Sequence, residues 1–182
     1  GAERSGTITL SGGGITREIR VFQLGVPNGK GLTGKYYNHI GLASIQGKLP
    51  DITVIEPTLN LMAGGSPKAG VSENFVAVWE GYIQVKDAAN YTFYLSADDG
   101  FQFYFNNALV LKGNAYNVGV EFQTPSFNLL PGVNYPIKIE FWDDASVAAF
   151  VLKWANNSGL AKQIIPTAHL FPLFEPEPLS SD

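Results

Sequence analysis

The chain has 182 residues, no cysteine, two histidines and a formal net charge of −4. One domain is the expectation, since domains usually run to roughly 100–200 residues. Without cysteine there is no disulfide, no thiolate zinc site and no cysteine nucleophile, and His39 and His169 alone make no multi-histidine metal centre. The acidic balance argues against a nucleic-acid partner, and no apolar run reaches the roughly 18 residues that a membrane-spanning helix needs. The first residues lack a basic-then-apolar signal pattern, so any secretion signal is expected to lie outside this sequence.

Glycine (20) and proline (11) are plentiful, 13% of residues are aromatic and only 15% are charged. That profile favours short strands and turns over long helices. In chain order, Thr7–Leu10 reads as a strand, Gly12-Gly13-Gly14 as a turn, and Arg17–Phe22 as a second strand. Residues 1–30 are therefore read as an N-terminal extension whose strands pack on the main body. Pro50–Gly70 has no clean period and reads as a long irregular loop with one short strand at Ile52–Ile55.

From Asn74 the period is two. Phe75–Trp79, Tyr91–Leu95, Phe101–Phe105, Ile137–Phe141 and Phe150–Trp154 each alternate, separated by turn signals. The pattern predicts an all-β chain, an antiparallel sandwich or barrel. Gly113–Asn117 reads as a loop. Residues 172–182, with Pro172, Pro176 and Pro178, read as a linker leaving the domain.

Two acidic segments interrupt the alternation. Asp98-Asp99-Gly100 falls between two strand runs, and Asp-Gly suits a plain hairpin turn. The functional reading is a hard-cation site, since calcium takes six to eight oxygens at about 2.3–2.6 Å. Neighbouring residues of an extended chain point to opposite faces, so both carboxylates reach one ion only if the backbone turns. A cis Asp98–Asp99 peptide would do this, at about 3–4 kcal/mol. Trp142-Asp143-Asp144-Ala145-Ser146 is the second acidic segment, again a turn on the plain reading. Spacing alone does not say whether the two meet.

Several ordered stretches carry a resemblance. These are Gly31–Asn38, Phe75–Ile83, Asn90–Gly100 with its Asp-Asp-Gly, Leu130–Phe141, Leu152–Trp154 and Ile165–Phe171. Together they resemble the PA-fourteen domain family, named after the anthrax toxin protective antigen, over residues 31–171. The resemblance implies a β-sandwich found in toxins, glycosidases, yeast flocculins and bacterial repeat-in-toxin adhesins. In the family's lectin branch the matching aspartates are joined by a cis peptide and hold one Ca²⁺.

Carried over residue by residue, the resemblance implies metal ligands at Asp98, Asp99 and Asp143 and at the carbonyls of Ala145 and Val147. Asp144 is the rival loop ligand or a hydrogen-bond acceptor for sugar. Sugar contacts are implied at Asp98, Asp99, Asp144 and Trp142. The implied function is a Ca²⁺-dependent lectin module of a large cell-surface or secreted bacterial adhesin. It would be monomeric and extracellular, and would bind vicinal hydroxyls of surface glycans or polysaccharides, with no nucleic acid and no membrane insertion. Two alternatives stand beside it, a calcium-stabilised docking module without sugar binding and an accessory domain of a glycosidase. No base and nucleophile can be assigned, so no enzymatic activity is expected. Trp79 and Trp154 fall in alternating strands and are expected in the core, as large aromatics usually are.

Overall fold

The computed structural model describes residues 4–23, 28–38, 41–64, 67–144 and 147–173. β1 (Arg4–Gly12) and β2 (Ile15–Gln23) form an antiparallel hairpin that is a sheet of its own. Gly13 (φ 58°) and Gly14 (φ 79°) make its turn, where two successive left-handed residues match the strand twist and favour glycine. The two strands and turn expected from the sequence are there. Residues 6–19 of this hairpin are exposed throughout.

The remaining strands form one eleven-stranded antiparallel sheet. They are β3 (Leu32–Tyr37), β4 (Ile52–Glu56), β5 (Asn60–Gly64), β6 (Phe75–Ile83), β7 (Ala89–Phe105), β8 (Ala108–Gln123), β9 (Phe127–Leu129), β10 (Tyr135–Asp143), β11 (Val147–Asn156), β12 (Gln163–Ile164) and β13 (Leu170–Pro172). The five alternating runs lie in β6, β7, β10 and β11, two of them in the long β7. Pro50–Gly70 holds a second strand, β5, that the sequence did not signal. Its residues Asn-Leu-Met-Ala-Gly lack β-branching, and its order comes from pairing with β11, Asn60 opposite Val151 and Gly64 opposite Val147. Gly113–Asn117 is likewise no loop but part of β8.

The seventeen-residue β7 links the two layers. Its first half, Tyr91–Asp98, pairs with β11, and its second half, Gly100–Phe105, pairs with β10. β8 follows its other edge, with a register shift between Ser96 and Asp98. One strand thus serves two layers, and β10 and β11 diverge where it changes partner. Between the layers, Trp79 on β6 meets Phe150 on β11 at 4.9 Å between ring centroids, and Phe141 on β10 meets Phe150 at 5.6 Å. Trp79 and Trp154 are buried, as their place in alternating strands requires. Such edge and offset aromatic contacts add to the area that each ring removes from water.

Candidate functional site

Asp98, Asp99 and Gly100 lie inside β7, at the point of its partner change, and do not form a hairpin turn. Asp98 is opposite Ala149 of β11, and Gly100 is opposite Trp142 of β10. Asp99 sits between them, opposite Ala115 on β8. β10 ends and β11 begins at this level, because the two strands are the successive partners of β7. The backbone N–H of Asp144 donates to Asp99 Oδ2 at 2.7 Å. The two acidic segments, apart in sequence, therefore share one corner. The Asp98–Asp99 peptide is cis.

Gly100 is held by a neighbour rather than by a turn. A Cβ there would stand 2.1 Å from Trp142 Cζ2 and 2.3 Å from its Cε2. Trp142 lies half-buried over that bare backbone and packs against Tyr37, Val76 and Val78.

Asp143 is fully buried at 0% exposure, and among the described residues neither carboxylate oxygen has a hydrogen-bond partner. A buried carboxylate without donors is costly. Burial first, then the charges of Asp99, Asp98, Asp144 and Glu73, push its pKa up to about 6. Burial and the charge of Asp99 also raise Asp98. Among the described residues none of these aspartates takes part in an ion pair. The corner is thus a concentration of negative charge lacking a counter-charge among the described residues.

The expected ligands are distributed as follows. Asp98, Asp99 and Asp143 gather at the corner, with Asp99 buried and Asp98 partly exposed. Asp144 is exposed, and its backbone rather than its side chain makes the contact with Asp99. Val147 opens β11 opposite Gly64. Ala145 lies outside the described residues, as does His39. His169 is structural, with Nδ1 2.8 Å from the Gln84 carbonyl oxygen and its ring edge-on to Trp154. Among the described residues no group of three or more histidine, aspartate or glutamate side chains is arranged to hold a metal ion by itself. A cation held here would need backbone carbonyl and water oxygens beside the carboxylates. The orphaned oxygens of Asp143 and the hard-oxygen character of the donors fit such an ion.

Sequence reasoning missed Glu73, which precedes β6 and adds to the charge felt by Asp143. It also missed that Asn114 and Ala115 flank the acidic pair, opposite Gly100 and Asp99. The only available signal was the strand character of β8, which its glycines and asparagines hide.

The family model for the PA14 domain matches residues 30–168. The anti-sigma-I factor RsgI3 of Acetivibrio thermocellus is 28% identical over 152 residues, which make up 82% of this chain and 22% of that protein. A solved anti-sigma factor domain-containing protein superposes with a TM-score of 0.71 at 26% identity, over 82% of this chain and 50% of that one. A PA14 sugar-binding domain from an RTX adhesin superposes with a TM-score of 0.66 at 19% identity, over 79% of this chain and 99% of that one. This chain therefore spans about a fifth of the curated relative and half of the first solved one. The resemblance read from the ordered motifs holds over most of the sequence, and the chain belongs to the PA14 domain family.

Proposed function

We propose that this domain is a calcium-dependent carbohydrate-binding module with its site at the Asp98–Asp99 corner. One observation carries the reading. Asp143 is wholly buried, has no donor for either oxygen among the described residues, and faces further carboxylates. A hard divalent cation relieves that arrangement. The sugar-binding description of a PA14 domain of the same fold supports the choice of ligand.

Bound calcium would supply open coordination positions for two adjacent sugar hydroxyls. Asp98 and Asp99 then accept hydrogen bonds from those hydroxyls, and charge-assisted bonds of this kind are the shorter and stronger ones. Asp143 would be a further ligand, and the carbonyls of Ala145 and Val147 are the remaining ligands that the family resemblance implies. Trp142 borders the site and offers an apolar surface to the sugar, and Asp144 stands exposed as an outer acceptor. Single sugars bind weakly on this reading, because few atoms are buried. The module binds without chemical conversion and works outside the cell, where glycans are displayed.

The parent protein has two readings. An adhesin would use many copies and gain by avidity. An anti-sigma factor would carry the same domain as the ligand-binding part of a longer regulatory protein. The second is favoured by one observation, that the proteins similar to this chain at 28% and 26% identity are both anti-sigma factors.

Calorimetric titration of a monosaccharide panel, in calcium and in chelator, tests the site. Binding of a vicinal-diol sugar in calcium alone is expected. If calcium raises the melting temperature and no sugar binds, the ion is structural and the lectin reading fails.

A further inference from the structure

A cavity of about 510 Å³ lies on the outer face of the sheet, away from the acidic corner. Its volume is within the roughly 300–1,000 Å³ usual for small-molecule sites. Register explains its walls. Glu80 on β6 stands opposite Lys138 on β10, which stands opposite Tyr104 on β7. Tyr82 stands opposite Pro136. Their strand neighbours Ile83, Ile137 and Phe105 are buried in the core, so alternation turns this set outward. Asn107, at φ 64° in the turn between β7 and β8, closes one side, and Leu173 borders the cavity as well.

The charges in this wall are already balanced. Glu80 pairs with Lys35, and Lys138 pairs with Glu140 at 2.7 Å. The Lys138 ammonium also lies 4.2 Å from the centre of the Tyr104 ring. The Tyr104 hydroxyl is 2.7 Å from Gln102 Oε1. No net charge is left to attract an ion. Hydrogen-bonding capacity remains, because carboxylate oxygens accept more than one bond and an ammonium has three donors. The Asn107 amide adds a donor and an acceptor, and Tyr82, Pro136 and Leu173 add apolar surface. This mixture suits a neutral ring with hydroxyls at its edge and C–H groups on its faces.

We propose that this cavity is a second, calcium-independent subsite for a neutral sugar residue of an oligosaccharide. None of the corner aspartates lines it. Lys138 and Trp142 are four residues apart on β10, roughly 13 Å at about 3.3 Å per residue, so the two sites are distinct. This inference does not depend on the calcium reading.

The test is an amide NMR titration of the full chain in chelator with cellohexaose, xylohexaose and mannohexaose. Saturable shifts at Gly81, Tyr82, Asn107 and Lys138 are expected with at least one of them. Tyr82→Ala should weaken that binding at least tenfold. Asn107→Gly, which suits the left-handed turn and removes the amide, should weaken it several-fold with an unchanged unfolding midpoint. No shift at these amides with any of the three sugars would overturn the proposal. So would equal affinity for hexagalacturonate at the same amides, since that would make charge rather than a neutral ring the recognised feature. Loss of calcium binding at the corner leaves every one of these outcomes readable.

Discussion

The backbone N–H of Asp144 donates to Asp99 Oδ2 at 2.7 Å, across 45 positions of sequence. That bond ties the β10–β11 connection to the place where β7 changes partner. It joins the two acidic segments into one corner and orients a carboxylate oxygen of Asp99 before any ligand arrives. The remaining negative charge, centred on buried Asp143, is what a bound cation would answer.

Asp99→Asn keeps an oxygen for the Asp144 N–H and removes a charge. Calcium affinity is expected to fall at least tenfold, and sugar binding in calcium to be lost, with the circular dichroism spectrum unchanged. Charge-assisted bonds are stronger than neutral ones, so the amide is an incomplete substitute. Calorimetry reads both ligands. Unchanged sugar affinity would place the site elsewhere.

Asp143→Asn separates stability from binding. In chelator at pH 7 the variant should be more stable than the wild type by about 1–3 kcal/mol, the scale of a pKa raised by about two units. In calcium the order should reverse, because only the carboxylate holds the ion. Urea unfolding in the two buffers measures this. A variant less stable than wild type in chelator would mean that Asp143 already has a favourable partner.

The pH dependence has a defined sign. Asp143 is raised to about 6 in the folded protein, above the carboxylate range of the unfolded chain. The folded state then binds the proton more tightly, so calcium-free stability falls as pH rises from about 4 to about 6 and levels off above. Glu121, lowered chiefly by its hydrogen bond from Lys162, acts in the opposite sense at more acid pH. The difference between wild type and Asp143→Asn in chelator, followed from pH 4 to 7, isolates the Asp143 contribution. Calcium affinity should fade over the same interval on acidification, since protons compete for the ligand.

Gly100→Ala should destabilise the fold by about 1–3 kcal/mol, the usual cost of overpacking. The added methyl meets the Trp142 ring, which cannot retreat without leaving Tyr37, Val76 and Val78. Combined with Trp142→Ala, the alanine should cost markedly less than it does alone, a coupling that a double-mutant cycle reads out. Simple additivity would show that strand geometry, and not the indole, demands glycine.

Deleting residues 1–23 should leave the melting temperature of the body unchanged. β1 and β2 pair with each other alone, and residues 6–19 are exposed. Differential scanning calorimetry of the shortened chain checks this. A drop of several degrees would reveal packing between the hairpin and the sandwich.

Much was legible in the sequence because period two is a local property. Phe101, Phe103 and Phe105 declare a buried face without reference to any other segment, and so do Ile137, Ile139 and Phe141. Three glycines in a row, Gly12-Gly13-Gly14, marked the hairpin turn, which the last two form. The absence of cysteine and the scarcity of histidine left the carboxylates as the chemistry to follow. The ordered motifs pointed to the family.

Tertiary structure alone decided where the acids of the two segments lie relative to one another. Asp98-Asp99-Gly100 has the composition of a turn, yet β7 runs straight through it, because β11 and β10 successively supply hydrogen-bond partners from segments far along the chain. Which aspartate of the Asp143-Asp144 pair is buried depends on the handover between those partners, and a long-range handover leaves no local periodicity. The same holds for Gly100, whose need for a bare Cα is set by an indole 42 residues away. The outer cavity beside Lys138 exists only because register brings β6, β10 and β7 side by side. Alternation says which face a side chain takes, while register says which side chains meet on that face.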